Sequence, residues 1–351
     1  MTSFRSYGSN DCAYMRLYRS LRDDIAAGAY PPGSRLPSKR TLAARTGLSV
    51  ITVEHALALL VDEGWAEARE RSGTYALSRG GVSVRRAALS EMSLPPAPPE
   101  DFPFGALARI MRRTLSDKGE LILAKSPPCG LRELRSAICE YLARSRSLAV
   151  SEEQIVVGSG AEYLYSLSLQ LLGRERLYAL EDPCWEKIRR VYEVNGAKTV
   201  SLPLLPSGID GAALASCSAE VLHVTPYHSF PSGVTASAEK RREYARWARA
   251  RGAWIIEDDY DSELASRGER IETVFSLLSE RVIYVSTFSK TIAPSFRAGY
   301  MVLPEQLCEE YERTLGFYSC SVPVYDQYVL AEFLRSGELE RYVNRRRRKG
   351  L

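Results

Sequence analysis

The chain has 351 residues, 45% hydrophobic and 26% charged, a make-up that suits a soluble globular protein of more than one domain. A net charge of +4 singles out no partner, and no run of about 20 apolar residues is present to span a bilayer. Seven scattered cysteines without a C-x-x-C pair, and three histidines in no ligand-like spacing, argue against a disulfide framework or a metal site and for a reducing cytoplasm.

The opening stretch, MTSFRSYGSN, lacks the apolar core of a signal peptide. Residues 13–27 place Tyr14, Leu17, Leu21 and Ile25 on one helical face. Gly28 ends that helix, and YPPGSRLPS forms a stiff turn. Ser38 is placed to cap a second helix closed by Gly47, and Ser49 to cap a third that runs to Gly64. Two strand-like stretches, WAEARE and TYALS, follow around RSG. Three helices and a hairpin make a winged helix-turn-helix, which we assign to residues 12–78. Residues 1–80 carry 11 Lys and Arg against 8 Asp and Glu, a balance compatible with a nucleic-acid partner. Residues 79–101 contain PPAPP, which sustains neither helix nor central strand, and are assigned as a linker.

Across residues 102–351, apolar runs alternate with amphipathic helices. QIVVGS precedes AEYLYSLSLQLLG, RLYALED precedes CWEKIRRVYEVNG, and AKTVSLPL, EVLHVTP, AWIIEDD and RVIYVST follow, with a helix around SAEKRREYARWARARG. The alternation predicts an α/β domain with a mainly parallel sheet. Ligands of such sheets sit beyond the carboxyl ends of the strands.

Residues 17–76 resemble the winged-helix domain of the GntR family. GSRLPS, TGLS and LVDEGW stand in that family's order and spacing. A helix-turn-helix sends the start of its second helix to base edges in the major groove. Here that region holds Ser49, Thr52 and His55, with Thr52 a candidate for a base or a phosphate. Arg35, Ser38, Lys39 and Arg40 around the turn are candidates for phosphate oxygens. Arg69, Arg71 and Gly73 form a wing tip slim enough for the minor groove. Relatives often carry Arg after the Ser that starts the recognition helix, where this chain has Val50.

STFSKTIAPSFRAGY (286–300) resembles the lysine loop of fold-type-I pyridoxal-phosphate proteins. The resemblance implies that Lys290 forms the Schiff base and that Thr287, Ser289 and Arg297 bind the phosphate. A desolvated lysine near cations is a competent amine nucleophile. By the same resemblance, AWIIEDDYDSE (253–263) offers Asp258 to the ring nitrogen and Tyr260 to the ring hydroxyl, leaving Asp259 and Asp261 as capping or solvated acids. A carboxylate there keeps the pyridine protonated. GSGAEYLYSL aligns with the turn that cradles the phosphate, through Ser159, Gly160, Ala161 and Glu162 at a helix start. Trp185 stands where relatives stack an aromatic on the ring; a core tryptophan is the other reading. His228, in VTPYHSFPSG, either borders an effector pocket or shapes its loop.

Together the pieces resemble the MocR/GabR-type regulators. That implies a GntR winged helix fused to a fold-type-I aminotransferase-like domain with its small domain largely missing. It also implies a head-to-tail homodimer that binds double-stranded operator DNA and senses pyridoxal phosphate, an amine or an amino acid. Relatives continue past RYVNRRRRKGL and hold a substrate carboxylate with an Arg from that part, so efficient transamination is not expected. The alternative is a pyridoxal-phosphate-dependent aminotransferase with an accessory DNA-binding domain.

Overall fold

The computed structural model describes residues 12–69, 72–77, 102–260, 262–264, 272–292 and 295–349. The linker assigned to residues 79–101 lies outside them, as do Arg71 and Asp261. The chain divides into two compact units between Pro95 and Pro96. Among the described residues, no single helix is long and apolar enough to cross a membrane.

The first unit holds α1 (Ala13–Ala26), α2 (Lys39–Thr46), α3 (Val50–Asp62) and a hairpin of β1 (Ala66–Arg69) and β2 (Gly73–Ala76). The helix starts are those expected from the sequence. Ser38 Oγ accepts the Thr41 amide and Ser49 Oγ the Thr52 amide, each at 3.1 Å. Gly47 leaves α2 in the left-handed region, at φ 70°, where a side chain would be strained. The apolar faces meet in one core that includes Leu17, Leu21, Leu42, Val53, Leu57 and Leu60. An ion pair between Lys39 and Glu54 links α2 to α3.

The second unit opens with α4 (Phe104–Lys118) and α5 (Arg132–Arg146). Next come β3 (Ile155–Gly158), α6 (Ala161–Leu172), β4 (Leu177–Asp182), α7 (Glu186–Val194), β5 (Lys198–Leu205), β6 (Gly208–Ile209) and α8 (Gly211–Ser216). The chain continues with β7 (Val221–Val224), α9 (Ala238–Arg251), β8 (Trp254–Asp258), α10 (Val274–Leu277), β9 (Val282–Thr287) and β10 (Gly299–Val302). It ends in α11 (Glu305–Leu315), α12 (Val324–Arg335) and α13 (Glu338–Lys349).

The strands form one sheet in the order β3-β10-β9-β8-β7-β4-β5-β6. Pairing from β9 through β5 is parallel, as expected. Successive residues point to opposite faces, and each face has its own core. Ile255, Val282 and Tyr284 belong to one cluster; Ile256, Ile283 and Val285 belong to the other. Helices cover both faces, which is why these strands read as unbroken apolar runs.

β10 was not singled out from the sequence, where GYMV reads as the tail of the lysine loop. It runs antiparallel between β3 and β9, pairing Gly299 with both Gly158 and Thr287. A Cβ at Gly299 would lie 2.7 Å from the Ser286 carbonyl oxygen, so only glycine fits. The lysine loop is therefore an excursion closed at its base by two paired strands.

Candidate functional site

The carboxyl ends of β7, β8 and β9 and the start of α6 line one cavity of about 270 Å³. Ala161, Glu162, Trp185, Asp258, Tyr260, Thr287, Ser289, Lys290 and Arg297 come together on its wall. Trp185 thus faces the cavity, although its ring also packs against the second core. Ser159 and Gly160 form the turn before α6. Their amides are already engaged, with Ser321 Oγ at 2.9 Å and the Gly158 carbonyl at 2.8 Å.

The acidic run is sorted by the pleat. Asp258 is buried on the cavity side, where Tyr165 donates to its Oδ2 at 2.6 Å. Its Oδ1 is buried with no hydrogen-bond partner among the described residues. Burial pushes the Asp258 carboxyl up to about 7, against the hydrogen bond from Tyr165, with Asp259 adding to the rise. Glu257 points the other way and accepts the Val274 and Phe275 amides at 2.9 and 2.7 Å, at the start of α10.

Asp259 corrects the expectation of a capping or solvated acid. It is buried, paired with Arg146 at the end of α5, and accepts from the Tyr284 hydroxyl. The single-strand reading could not foresee this, because Arg146 lies 113 residues away.

Lys290 stands exposed at the cavity rim, 5.6 Å from the centre of the Tyr260 ring, rather than desolvated as expected. The Tyr260 hydroxyl donates to the His228 carbonyl at 2.6 Å. Thr287 Oγ1 reaches Ser289 Oγ at 3.1 Å and the Ala298 carbonyl at 3.2 Å, fastening the two ends of the lysine loop. Arg297 pairs with Glu162 at 2.9 Å, and Lys187 approaches the same carboxylate at 3.5 Å. Burial, the largest single influence, opposes ionisation of Glu162, but hydrogen bonds from Arg297 and the backbone, with the charges of Arg297 and Lys187, together hold the carboxyl below its ordinary range.

Tyr165, Ile188, Thr225 and Phe230 also line the cavity and were missed from the sequence. Tyr165 lies one turn beyond Ala161, so helical spacing was the available signal. Behind it, His223 is buried, and its Nδ1 shares a hydrogen bond with the Tyr192 hydroxyl at 2.7 Å. Burial alone pushes its imidazole down to about 3, so the ring is neutral. Glu181, buried beneath the 225–230 loop, accepts from Ser229 Oγ at 2.6 Å and the Thr225 amide at 3.2 Å.

These groups fit pyridoxal phosphate. An unpartnered buried carboxylate oxygen matches a ring N–H, an indole lies on the wall, and a helix start and an arginine, here paired with Glu162, stand where a phosphate would be held. Gly160, at φ 100°, leaves room beside Arg297, whose Nη2 a Cβ there would approach to 3.2 Å.

In the first unit, Arg35, Lys39, Arg40, His55, Arg69 and Gly73 are exposed. Ser38 and Ser49 serve as caps, and Thr52 Oγ1 lies 2.8 Å from Ser49 Oγ. Arg69 packs over the Tyr75 ring at 4.4 Å and lies 3.5 Å from Glu67. Val50 and Ile51 are exposed beside these polar groups.

Residues 13–76 match the family of bacterial regulatory proteins described as gntR, and residues 101–350 match aminotransferase class I and II. YdeL, an HTH-type transcriptional regulator of Bacillus subtilis, is 30% identical over 95% of this chain and 76% of its own length. The pyridoxine biosynthesis transcriptional regulator PdxR of Corynebacterium glutamicum is 31% identical over 95% of this chain and 75% of its own. MocR of Rhizobium meliloti, a probable rhizopine catabolism regulatory protein, is 30% identical, with 95% and 74% covered. Among solved structures, an archaeal alanine:glyoxylate aminotransferase superposes with a TM-score of 0.64 at 24% identity, covering 70% of this chain and 63% of that one. The α-aminoadipate aminotransferase LysN of Thermus thermophilus gives 0.62 at 26% identity, covering 71% and 65%. The chain thus spans less than two thirds of these enzymes' length and about three quarters of the curated relatives'.

Proposed function

Because the chain belongs to the HTH-type transcriptional regulators that join a gntR-family segment to an aminotransferase class I and II segment, we propose that it is a DNA-binding regulator controlled by pyridoxal phosphate or an amine that meets it there. Residues 12–78 bind operator DNA, 79–101 link, and 102–351 sense. The observation that carries the sensing role is a cavity lined together by Asp258, Lys290 and Arg297, in which Asp258 keeps a buried Oδ1 without a hydrogen-bond partner among the described residues.

Bound pyridoxal phosphate supplies an aldehyde that condenses reversibly with amines and a ring that draws electrons from them. Asp258 would hold the proton on the ring nitrogen, with Tyr165 fixing its Oδ2. Trp185 would offer its indole to the ring, and Lys290 would be the amine of attachment. Arg297, Thr287, Ser289 and the first amides of α6 would take the phosphate. Ser159 and Gly160 shape that turn. We infer that it works in the cytoplasm as a head-to-tail homodimer.

The name of PdxR, a regulator of pyridoxine biosynthesis, favours the cofactor itself as one signal. The test is the visible absorption of the protein mixed with pyridoxal phosphate, followed by borohydride reduction and peptide mapping. A reduced adduct on Lys290 is expected; an unchanged spectrum and an unmodified Lys290 would remove the sensing role. Turnover of an amino acid to its keto acid, lost in Lys290→Ala, would favour the enzyme reading.

A further inference from the structure

Helix α3 buries Val53, Ala56, Leu57 and Leu60, the spacing of a single helical face. Val50 and Ile51, in its first turn, remain 45% and 68% exposed. Helix formation does not ask for them. Ser49 already caps the helix, and a first turn favours acids and hydroxyl residues over branched aliphatics. Nor does the core use them, since the cluster beneath is complete without either. The result is a small apolar edge at the tip of the recognition helix.

The same unit carries exposed cations. Arg40 and Arg45 on α2 are exposed, as is Arg35 in the preceding turn. The nearest acid on α3, Glu54, is already paired with Lys39. Exposed cations can hold a phosphate backbone while the apolar tip enters the groove between its strands.

The first turn of a recognition helix meets base edges in the major groove. Among the groups displayed there, the thymine 5-methyl is the apolar one. We propose that Val50 and Ile51 select thymine by packing on its 5-methyl group, giving this regulator an apolar readout at the tip of α3. The inference rests on the DNA-binding reading and adds to it which base is read, and how.

The test uses the full chain and a random-sequence duplex pool. Selected duplexes are remade with each thymine replaced in turn by deoxyuridine, which removes the methyl and keeps every hydrogen-bonding group. Removing one methyl from water changes an equilibrium about fourfold. At one or more thymines, the replacement is therefore expected to weaken binding by about threefold to tenfold. Ile51→Ala and Val50→Ala should each bind thymine and deoxyuridine duplexes alike at one such position. Ile51→Thr keeps the branched shape and checks that loss of preference is not loss of fold, with thermal unfolding of each variant alongside.

If every replacement leaves binding within about twofold, or the preference survives whole in both alanine variants, the apolar readout is wrong while DNA binding stands. If no duplex is enriched at all, the DNA-binding reading falls, and this inference with it.

Discussion

At the scale of single residues, the cavity contrasts a carboxyl raised by burial with one lowered by cations. Asp258, Glu181 and Glu257 all titrate high because burial disfavours their charge, at about 7, 8 and 7. Unfolded, such groups lose their protons near pH 4. Between those limits the unfolded chain binds fewer protons than the folded one, so their contribution to stability falls as pH rises. His223 acts oppositely, since the unfolded imidazole gains a proton below about pH 6.5 that the buried ring refuses. Comparing variants separates the two. In calorimetry of the ligand-free protein from about pH 5 to about pH 7, Asp258→Asn should remove part of the downward slope. An unchanged slope would mean that Asp258 is ionised in the fold. Glu162 has the reverse character, a carboxylate kept ionised by Arg297 where a phosphate would sit. Glu162→Gln should therefore tighten pyridoxal phosphate binding roughly threefold to tenfold by fluorescence titration. Weaker binding would show that Glu162 positions Arg297 rather than competing for it.

At the scale of elements, what the sequence revealed depended on distance along the chain. Caps at Ser38 and Ser49, the stop at Gly47 and the hairpin after Trp65 are local chemistry, and the structure has each of them. The cofactor residues grouped because they lie at or just past the ends of β4, β8 and β9, at the start of α6 after β3 and, for Arg297, just ahead of β10, and the sheet brings those ends together. The misses are contacts between distant segments. Arg146 against Asp259 and Tyr165 against Asp258 need the fold, and β10 is four residues without an alternating pattern. Lys290 differs for another reason, since its desolvation would come with a ligand over it. The α3 cap allows a local test. Ser49→Ala leaves the Thr52 amide without its acceptor and should cost about 1 kcal/mol in thermal unfolding. DNA affinity should fall with it; affinity unchanged despite lost stability would mean the helix tip is ordered by DNA itself.

At the scale of the whole molecule, regulation requires that the cofactor or amine bind one functional state of the chain more tightly than another. By linkage, DNA must then shift cofactor affinity by the same factor as the cofactor shifts DNA affinity. A typical coupling is about fivefold to a hundredfold. We expect fluorescence anisotropy on a selected duplex to show such a change on adding pyridoxal phosphate, and Lys290→Ala to lose it while binding DNA normally. Equal DNA affinity with and without pyridoxal phosphate, and with amines added, would separate the two units functionally and leave the second without a regulatory ligand.

The sorting of Glu257, Asp258 and Asp259 has a consequence for how such a site can change by mutation. Two of the three acids are tied on the far face, to α10 and to Arg146, so the cavity meets a single carboxylate from a run of three. Parity along β8 decides which one. Inserting one residue ahead of Ile256 would turn the strand's end over, sending Glu257 or Asp259 to the cavity and Asp258 toward Arg146. Point substitutions can adjust this site gradually, whereas a single-residue insertion upstream would rewire it in one step while leaving every acid in the sequence.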